Sequence, residues 1–300
     1  MWSILLHSNT IWVMLSTTIL GIAAGVVGCL AYWKRQNLMS DALSHASLPG
    51  VVIAFLLIGE KDLLLLVIGA AGTALIGALL IQWVTTSSRI TEDTAMGIVL
   101  SVFYGFGVML LSIANRSAGG NQSGLNSFIY GQAAAMVRTD VMTMIILASV
   151  VILIVAAIFK EWKLYLFDAG FAQGLGRSIK GMNILYTLVL VVTIVIGIQA
   201  VGVILMAAML IIPSVSSRYW THSFRSMIWL SGLFGGIAGA VGTWISATGS
   251  GLPTGPFIVL VSAAFFLIAL LFGKEKGMII HAMQFKSQQK QFSGRKKEAS

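Results

Sequence analysis

Residues 63–83 read LLLLVIGAAGTALIGALLIQW and contain no charged side chain. Uncharged runs of similar length occupy residues 142–159 and 184–209. A helix of about twenty apolar residues is long enough to cross a hydrocarbon core of roughly 30 Å. The whole chain is 57% hydrophobic and 10% charged, whereas about a quarter of the residues in a soluble domain are charged. The sequence therefore predicts an all-α polytopic membrane protein.

Apolar runs separated by polar breaks predict about eight or nine transmembrane helices. The number depends on residues 197–202, where glycines either separate two spans or bend a single broken helix. The nine candidate segments are residues 10–33, 38–59, 63–85, 94–114, 139–159, 182–198, 200–217, 226–247 and 255–273.

Basic residues are concentrated in the breaks on one side of these spans. The other side receives few cations beyond Lys61, Arg116 and Arg138. By the positive-inside rule the richer side is cytoplasmic, which predicts an N-terminus outside the cell and a C-terminus inside. The breaks on the richer side contain Lys34, Arg35, Arg89, residues 160–180, residues 218–225 and the tail from Lys274.

The two ends of the chain differ in character. Residues 1–9 have no basic region and no small-residue cleavage site, so we expect the first apolar run to stay in the protein. We predict one transmembrane domain over residues 1–275. Residues 276–300 end in a stretch rich in Gln, Lys and Ser, which predicts a disordered, basic cytoplasmic tail.

One ionisable pair, Asp41 and His45, lies within a predicted span. The i, i+4 spacing places both side chains on one helical face, where a carboxylate oxygen and an imidazole nitrogen can share a cation. Ionisable groups inside a membrane usually line a pathway or a cavity. The alternative is that Asp41 caps the second span and His45 hydrogen-bonds to it. Two ligands do not complete a transition-metal site, but a symmetric dimer would supply two such pairs.

The sequence lacks the motifs of the common enzyme classes. It contains no G-x-x-x-x-G-K-[ST] phosphate loop, no H-E-x-x-H and no G-x-S-x-G. We therefore expect a chain that is not an enzyme, with any ATP hydrolysis in a separate chain. Two hypotheses fit a membrane protein without these motifs. One is an ion-coupled secondary transporter, and the other is a membrane scaffold without transport activity. The net charge of +9 lies at the ends of the spans and does not indicate a nucleic-acid partner.

Residues 41–50, DALSHASLPG, resemble the second-span motif of the permeases of manganese, zinc and iron ABC importers. Four further stretches agree with that family in order and spacing and extend the resemblance over about residues 10–275. They are residues 89–99, 167–176, 199–213 and 252–256. The resemblance implies the fold of a type II ABC importer permease in a bacterial plasma membrane.

The resemblance also implies partners and a cargo. The expected assembly contains a second permease subunit, as a homodimer or a heterodimer, two cytoplasmic ATPase subunits and an extracellular metal-binding lipoprotein. The cargo is a divalent transition metal, with Mn²⁺ favoured and Zn²⁺ or Fe²⁺ as alternatives. No permanently bound cofactor is expected.

Three sets of residues take roles from the resemblance. Asp41 and His45 resemble the cation-coordinating pair of the pathway. Residues 166–177 resemble the coupling helix that contacts the ATPase, with Asp168, Phe171, Ala172, Gly174, Leu175 and Gly176 as its motif residues. Bend or gate positions are expected at Pro49, Gly50, Gly202 and Pro213.

Overall fold

The structure is a computed structural model that describes residues 8–58, 63–117, 131, 133, 136–249 and 252–278. Within these ranges the chain is helical and contains no strand, as the sequence predicted. The tail predicted over residues 276–300 lies outside the described residues from residue 279 onward. The helices are α1 Ser8–Trp33, α2 Asn37–Ile58, α3 Leu63–Ser87, α4 Glu92–Ser117, α5 Arg138–Ala157, α6 Phe159–Phe167, α7 Ala169–Gly174, α8 Ile179–Val201, α9 Val203–Arg218, α10 Phe224–Thr248 and α11 Thr254–Phe272.

Eight of the described helices are long and apolar enough to span a membrane. Helix α9 is shorter, with 16 residues, which at 1.5 Å per residue is about 24 Å long. It nevertheless runs the length of the bundle, because it begins next to the end of α8 and ends where the Arg218 guanidinium lies 5.3 Å from the centroid of the Trp33 ring. Over its described residues the chain therefore traverses the bundle nine times.

The helix ends gather at two opposite ends of the bundle. Trp33, at the end of α1, packs against Phe167 and Phe224 with ring centroids 4.7 and 6.2 Å away. All described lysines and arginines except Arg116 and Arg138 lie in or beside the connections at this end. We call it the basic end.

Helix α1 lies in the interior of the bundle and packs most extensively against α10. A Cβ atom on Gly21 would lie 2.1 Å from the carbonyl oxygen of Gly235, and one on Gly25 would lie 2.2 Å from that of Ser231. Ser231 also donates a hydrogen bond to the Gly25 carbonyl across 2.6 Å. Such close backbone contact between small residues is a common way for helices to associate within a membrane.

Burial varies strongly among the spans. In α1 and α2, 72% of the most apolar stretch is buried inside the chain, compared with 17% in α4. Helix α2 is therefore an interior element, whereas α4 presents most of its surface outward. The ionisable pair therefore lies on a mostly buried helix, whereas α4 is mostly exposed.

Candidate functional site

Asp41 and His45 lie one turn apart on α2 and point to the same side. The His45 Nε2 atom is 3.5 Å from Asp41 Oδ1, and the two side chains are 15% and 35% exposed, respectively. The other ring nitrogen of His45, Nδ1, is buried and has no hydrogen-bond partner among the described residues. Both side chains are thus partly exposed, and they lie close enough to interact with each other.

The pair by itself offers too few ligands for a transition metal. Within the part of the chain that the structure describes, no three His, Cys, Asp or Glu side chains are grouped so that they could hold a metal ion. The neighbouring hydroxyl groups of Ser44 and Ser47 are fully buried and donate to the backbone carbonyls of Ser40 and Ser44 on the same helix. An additional ligand set has to come from outside this chain or from the backbone.

Pro49 changes the hydrogen bonding of one backbone group near the pair. It lies inside α2, which continues from Asn37 to Ile58. A proline has no N–H, so it cannot donate to the carbonyl four residues earlier, and that carbonyl belongs to His45. The His45 carbonyl oxygen therefore lacks the helical N–H partner that residue 49 would otherwise supply.

Helix α2 is held in place by close contacts with α3 and α4. A Cβ atom on Gly50 would lie 2.0 Å from the carbonyl oxygen of Gly69, so the two helix backbones touch there. On α4, a Cβ atom on Gly107 would lie 2.9 Å from the Leu48 side chain. Helix α2 cannot rotate without separating from both neighbours, which fixes the direction of His45.

The structure adds one residue to the predicted site, and no pattern in the sequence indicated this residue. Tyr104 on α4 packs edge-on against His45, with ring centroids 4.8 Å apart. A tyrosine in an apolar span is ordinary in sequence terms, so no local pattern distinguishes it. Its ring covers one side of the imidazole, and Tyr104 itself is 43% exposed.

The predicted coupling segment, residues 166–177, forms the end of α6, the short helix α7 and the turn that follows. The Asp168 carboxylate caps α7 by accepting a 2.8 Å hydrogen bond from the Phe171 backbone N–H. At the other end Gly176 has a φ of 78°, a left-handed conformation that favours glycine. An ion pair of 2.8 Å between Arg177 and Glu161 joins this turn to α6.

The two faces of α7 differ in exposure. Ala172 is buried against the bundle, whereas Phe171 and Leu175 are 58% and 59% exposed. A Cβ atom on Gly174 would meet no other atom within 4 Å. The segment therefore presents two large apolar side chains at the basic end, as a docking element does.

The break predicted around residues 197–202 is a single residue, Gly202, with a φ of 93° between α8 and α9. A Cβ atom on Gly255 would lie 2.5 Å from the carbonyl oxygen of Val201, and one on Gly131 would lie 2.3 Å from its carbonyl carbon. The candidate segments 182–198 and 200–217 are therefore two separate helices. Pro213 lies inside α9, which continues through it.

A second polar group, around Lys34, lies at the basic end. The Lys34 ammonium donates to the side chain of Asn183 and lies 4.0 Å from the centroid of the Tyr186 ring. The Tyr165 hydroxyl donates to the same oxygen of Asn183. Burial lowers the pKa of Lys34 to about 8, an effect that the nearby Glu92 carboxylate partly opposes. This network ties the end of α1 to α6 and α8.

Helix α4 begins with the acidic residues Glu92 and Asp93. The Thr91 hydroxyl accepts a 3.4 Å hydrogen bond from the Thr94 backbone N–H, and Glu92 accepts one of 3.0 Å from the Gln36 side chain. Acidic residues at a helix N-terminus are stabilising, and Glu92 also holds the start of α4 against the α1–α2 connection. Neither acid adds a ligand to Asp41 and His45.

Comparison with known proteins identifies a family that matches this chain. The sequence profile of the ABC 3 transport family matches residues 7–273. The chain is 42% identical over 284 residues to the manganese transport system membrane protein MntC of Bacillus subtilis (strain 168). The aligned residues cover 95% of this chain and 65% of that relative. This chain thus spans a little under two thirds of that relative's length.

Two other proteins match over most of both lengths. The zinc transport system membrane protein TroC of Treponema pallidum (strain Nichols) is 44% identical over 267 residues, covering 89% of this chain and 90% of the relative. The solved structure of PsaBC from Streptococcus pneumoniae in complex with Fab aligns with a TM-score of 0.77 and 31% identity, covering 88% of this chain and 91% of that chain.

The fold and these matches define a multi-pass, helical membrane transport subunit. The chain belongs to the ABC 3 transport family, as the sequence motifs indicated. Members of this family are permease subunits of ABC transporters, so the prediction that the chain is a transport subunit and not an enzyme is confirmed. The predicted all-α permease fold is confirmed as well.

Proposed function

We propose that this chain is the membrane-spanning subunit of an ATP-driven importer for a divalent transition metal, with Asp41 and His45 as metal contacts. The observation that carries the proposal is the geometry of this pair. A carboxylate and an imidazole lie 3.5 Å apart on an interior helix of a permease. Ionisable groups are costly in that position and are usually kept for transport.

The metal site is completed by a second permease subunit packed against α4. Gly97, Ser101 and Gly105 lie at four-residue intervals along the exposed face of α4. A Cβ atom on Gly97 or Gly105 would meet no other atom within 4 Å, and small residues at this spacing let two helices approach closely. Tyr104 belongs to the same face, so a partner there would bring a second Asp41 and His45 towards the first pair.

We propose manganese as the cargo because of the ligand chemistry. Two carboxylates and two imidazoles form a mixed oxygen and nitrogen set without a thiolate. Manganese favours oxygen ligands with some nitrogen, whereas zinc in proteins is mostly held by nitrogen and sulfur in a tetrahedron. Zinc and ferrous iron are the alternatives; one close relative is named for manganese and another for zinc.

The proposed assembly is arranged about the basic end. By the positive-inside rule this end faces the cytoplasm, with the N-terminus outside the cell. There, Phe171 and Leu175 of α7 are exposed for a groove on each of two ATPase subunits. An extracellular metal-binding lipoprotein would deliver the metal to the opposite end.

Uptake by the reconstituted complex tests the proposal. The chain with Asp41→Ala and His45→Ala is expected to assemble with its ATPase subunits yet to lose ATP-dependent manganese uptake. The matched control is Asp93→Ala with His222→Ala, which removes the same residue types at the basic end and should leave uptake close to wild type. Unchanged uptake in the first variant would refute the role of the pair.

The same system separates this function from its alternatives. If the chain alone in liposomes carried manganese down a gradient with a saturable rate, it would be a secondary transporter. If no metal accumulated with the full set of subunits and ATP, the scaffold hypothesis would replace transport. Competition among manganese, zinc and ferrous iron in the working complex would identify the preferred cargo.

A further inference from the structure

A deep groove opens on the side of the bundle, away from Asp41 and His45. It lies between α5 with α6 on one side and α10 on the other, with α1 as its floor, and its volume is about 1210 Å³. Pockets for small molecules usually measure about 300–1,000 Å³. The walls are almost entirely apolar and include Ile22 and Val26 of α1, Val155 of α5 and Leu233 of α10.

The mouth of the groove lies at the basic end and carries three cations. Lys160 and Lys163 of α6 and Arg225 of α10 all line it. None of the three forms an ion pair with another residue in the ranges that the structure describes. Asp168 also lines the mouth, but its carboxylate accepts the hydrogen bond that caps α7. A net positive charge is left at an apolar opening.

The start of α10 adds to this positive potential. Ser223, the residue that precedes α10, lines the groove and makes no capping hydrogen bond with its side chain. The first N–H groups of a helix have no partner within the helix and carry a partial positive charge. They therefore strengthen the attraction of the three cations for an anion.

The dimensions of the groove match one leaflet of a membrane. From Arg225 at the mouth to Leu233 the wall of α10 advances eight residues, which is about 12 Å. Half of a hydrocarbon core of roughly 30 Å is about 15 Å. Trp229, on the same wall, is largely exposed, and tryptophan is enriched where the core meets the headgroups.

We propose that this groove binds an anionic phospholipid from the leaflet at the basic end. An acyl chain lies along the apolar walls, and the phosphate is held by Lys160, Lys163 and Arg225. Basic pockets between transmembrane helices suit anionic headgroups. The chain's own C-terminal residues do not suit this mouth, because Lys286, Lys290 and residues 295–297 give that segment the same charge sign. The proposal is independent of metal transport.

Native mass spectrometry of the full chain tests this site with a defined lipid pair. The purified chain is incubated with equal amounts of phosphatidylglycerol and phosphatidylcholine in detergent. Wild type should retain phosphatidylglycerol preferentially, and Lys160→Gln with Arg225→Gln should weaken that retention by about tenfold or more. Lys180→Gln with Lys276→Gln, which removes the same charge at the same end outside the groove, should retain the lipid as wild type does.

A second variant tests the apolar part without changing charge. Leu233→Trp fills the groove and should lower retention of phosphatidylglycerol, whereas Leu267→Trp places the same bulk on the exposed face of α11 and should not. Equal retention of the two lipids by wild type, or equal loss in a variant and its matched control, would overturn the proposal. So would displacement of the lipid by inorganic phosphate, since that would identify a free-anion site. Equal melting temperatures of all variants in detergent show that the chain is folded.

Discussion

The imidazole of His45 and the ring of Tyr104 meet edge to face, with ring centroids 4.8 Å apart. This contact joins the interior helix α2 to the outward-facing helix α4. It orients the imidazole and places it next to the surface proposed for a second subunit. In the proposed site, the tyrosine would act on the metal through the histidine.

Replacing Tyr104 should change metal affinity more than maximal rate. Tyr104→Ala removes an aromatic contact of about 0.5–1.5 kcal/mol, which corresponds to a rise of about two- to tenfold in the KM for metal uptake. Tyr104→Phe retains the ring contact and should behave like wild type. Equal KM values for wild type and Tyr104→Ala in the reconstituted importer would contradict this role.

Pro49→Ala should separate stability from transport. The alanine restores an N–H that can bond to the His45 carbonyl, so the helix becomes as stable as before or more so. In the proposed site the His45 carbonyl would then be engaged within the helix, and we expect metal uptake to fall by about fivefold, equivalent to roughly 1 kcal/mol. The measurements are melting temperature in detergent and uptake by the complex.

The comparison for this change is Pro213→Ala, which alters the proline inside α9. A similar loss of uptake in both variants would indicate a general effect of proline on the bundle. A melting temperature that falls in Pro49→Ala would show that the proline contributes to packing instead.

Lys34 should make the stability of the chain depend on alkaline pH. Its pKa is lowered from 10.5 to about 8 in the folded chain, so between these values the unfolded chain binds more protons than the folded one. Stability from this group therefore rises as the pH increases from about 8 to about 10.5. The melting temperature of wild type should rise over this window relative to that of Lys34→Met. Parallel curves for the two proteins would contradict the shift.

The exposed side chains of α7 should be needed for coupling but not for folding. Phe171→Ala with Leu175→Ala should leave the melting temperature of the isolated chain unchanged, because both side chains are more than half exposed. Co-purification with the ATPase subunits and metal-stimulated ATP hydrolysis should both fall strongly. The control, Leu267→Ala with Leu271→Ala, removes exposed apolar side chains from α11. Normal ATP hydrolysis in the α7 variant would rule out the coupling role.

Features that depend on neighbouring residues in the chain could be predicted from the sequence. The spans follow from runs of apolar residues, and the position of Asp41 relative to His45 follows from helical spacing. The bounds of α7 agree with capping preferences, because Asp168 precedes its first residue and Gly176 follows its last turn. The roles proposed for Asp41, His45 and the α7 residues remain predictions.

Features that depend on packing between distant segments could not be predicted. Tyr104 reaches His45 only because α4 lies against α2, and nothing near Tyr104 in the sequence indicates that neighbour. Gly50 was expected at a bend, but its position against Gly69 depends on how α2 and α3 cross. The sequence allows eight or nine passes because it shows two glycines near the break, and only the backbone conformation of Gly202 distinguishes a turn from a kink.

The Val201 carbonyl group has Gly131 on one side and Gly255 on another, without a side chain between the backbones. Three segments that are far apart in sequence therefore meet at the end of the bundle opposite the basic end, with their backbones in direct contact. A rotamer change cannot loosen this junction, since no rotamer is involved. Separating the three segments therefore requires their backbones to move.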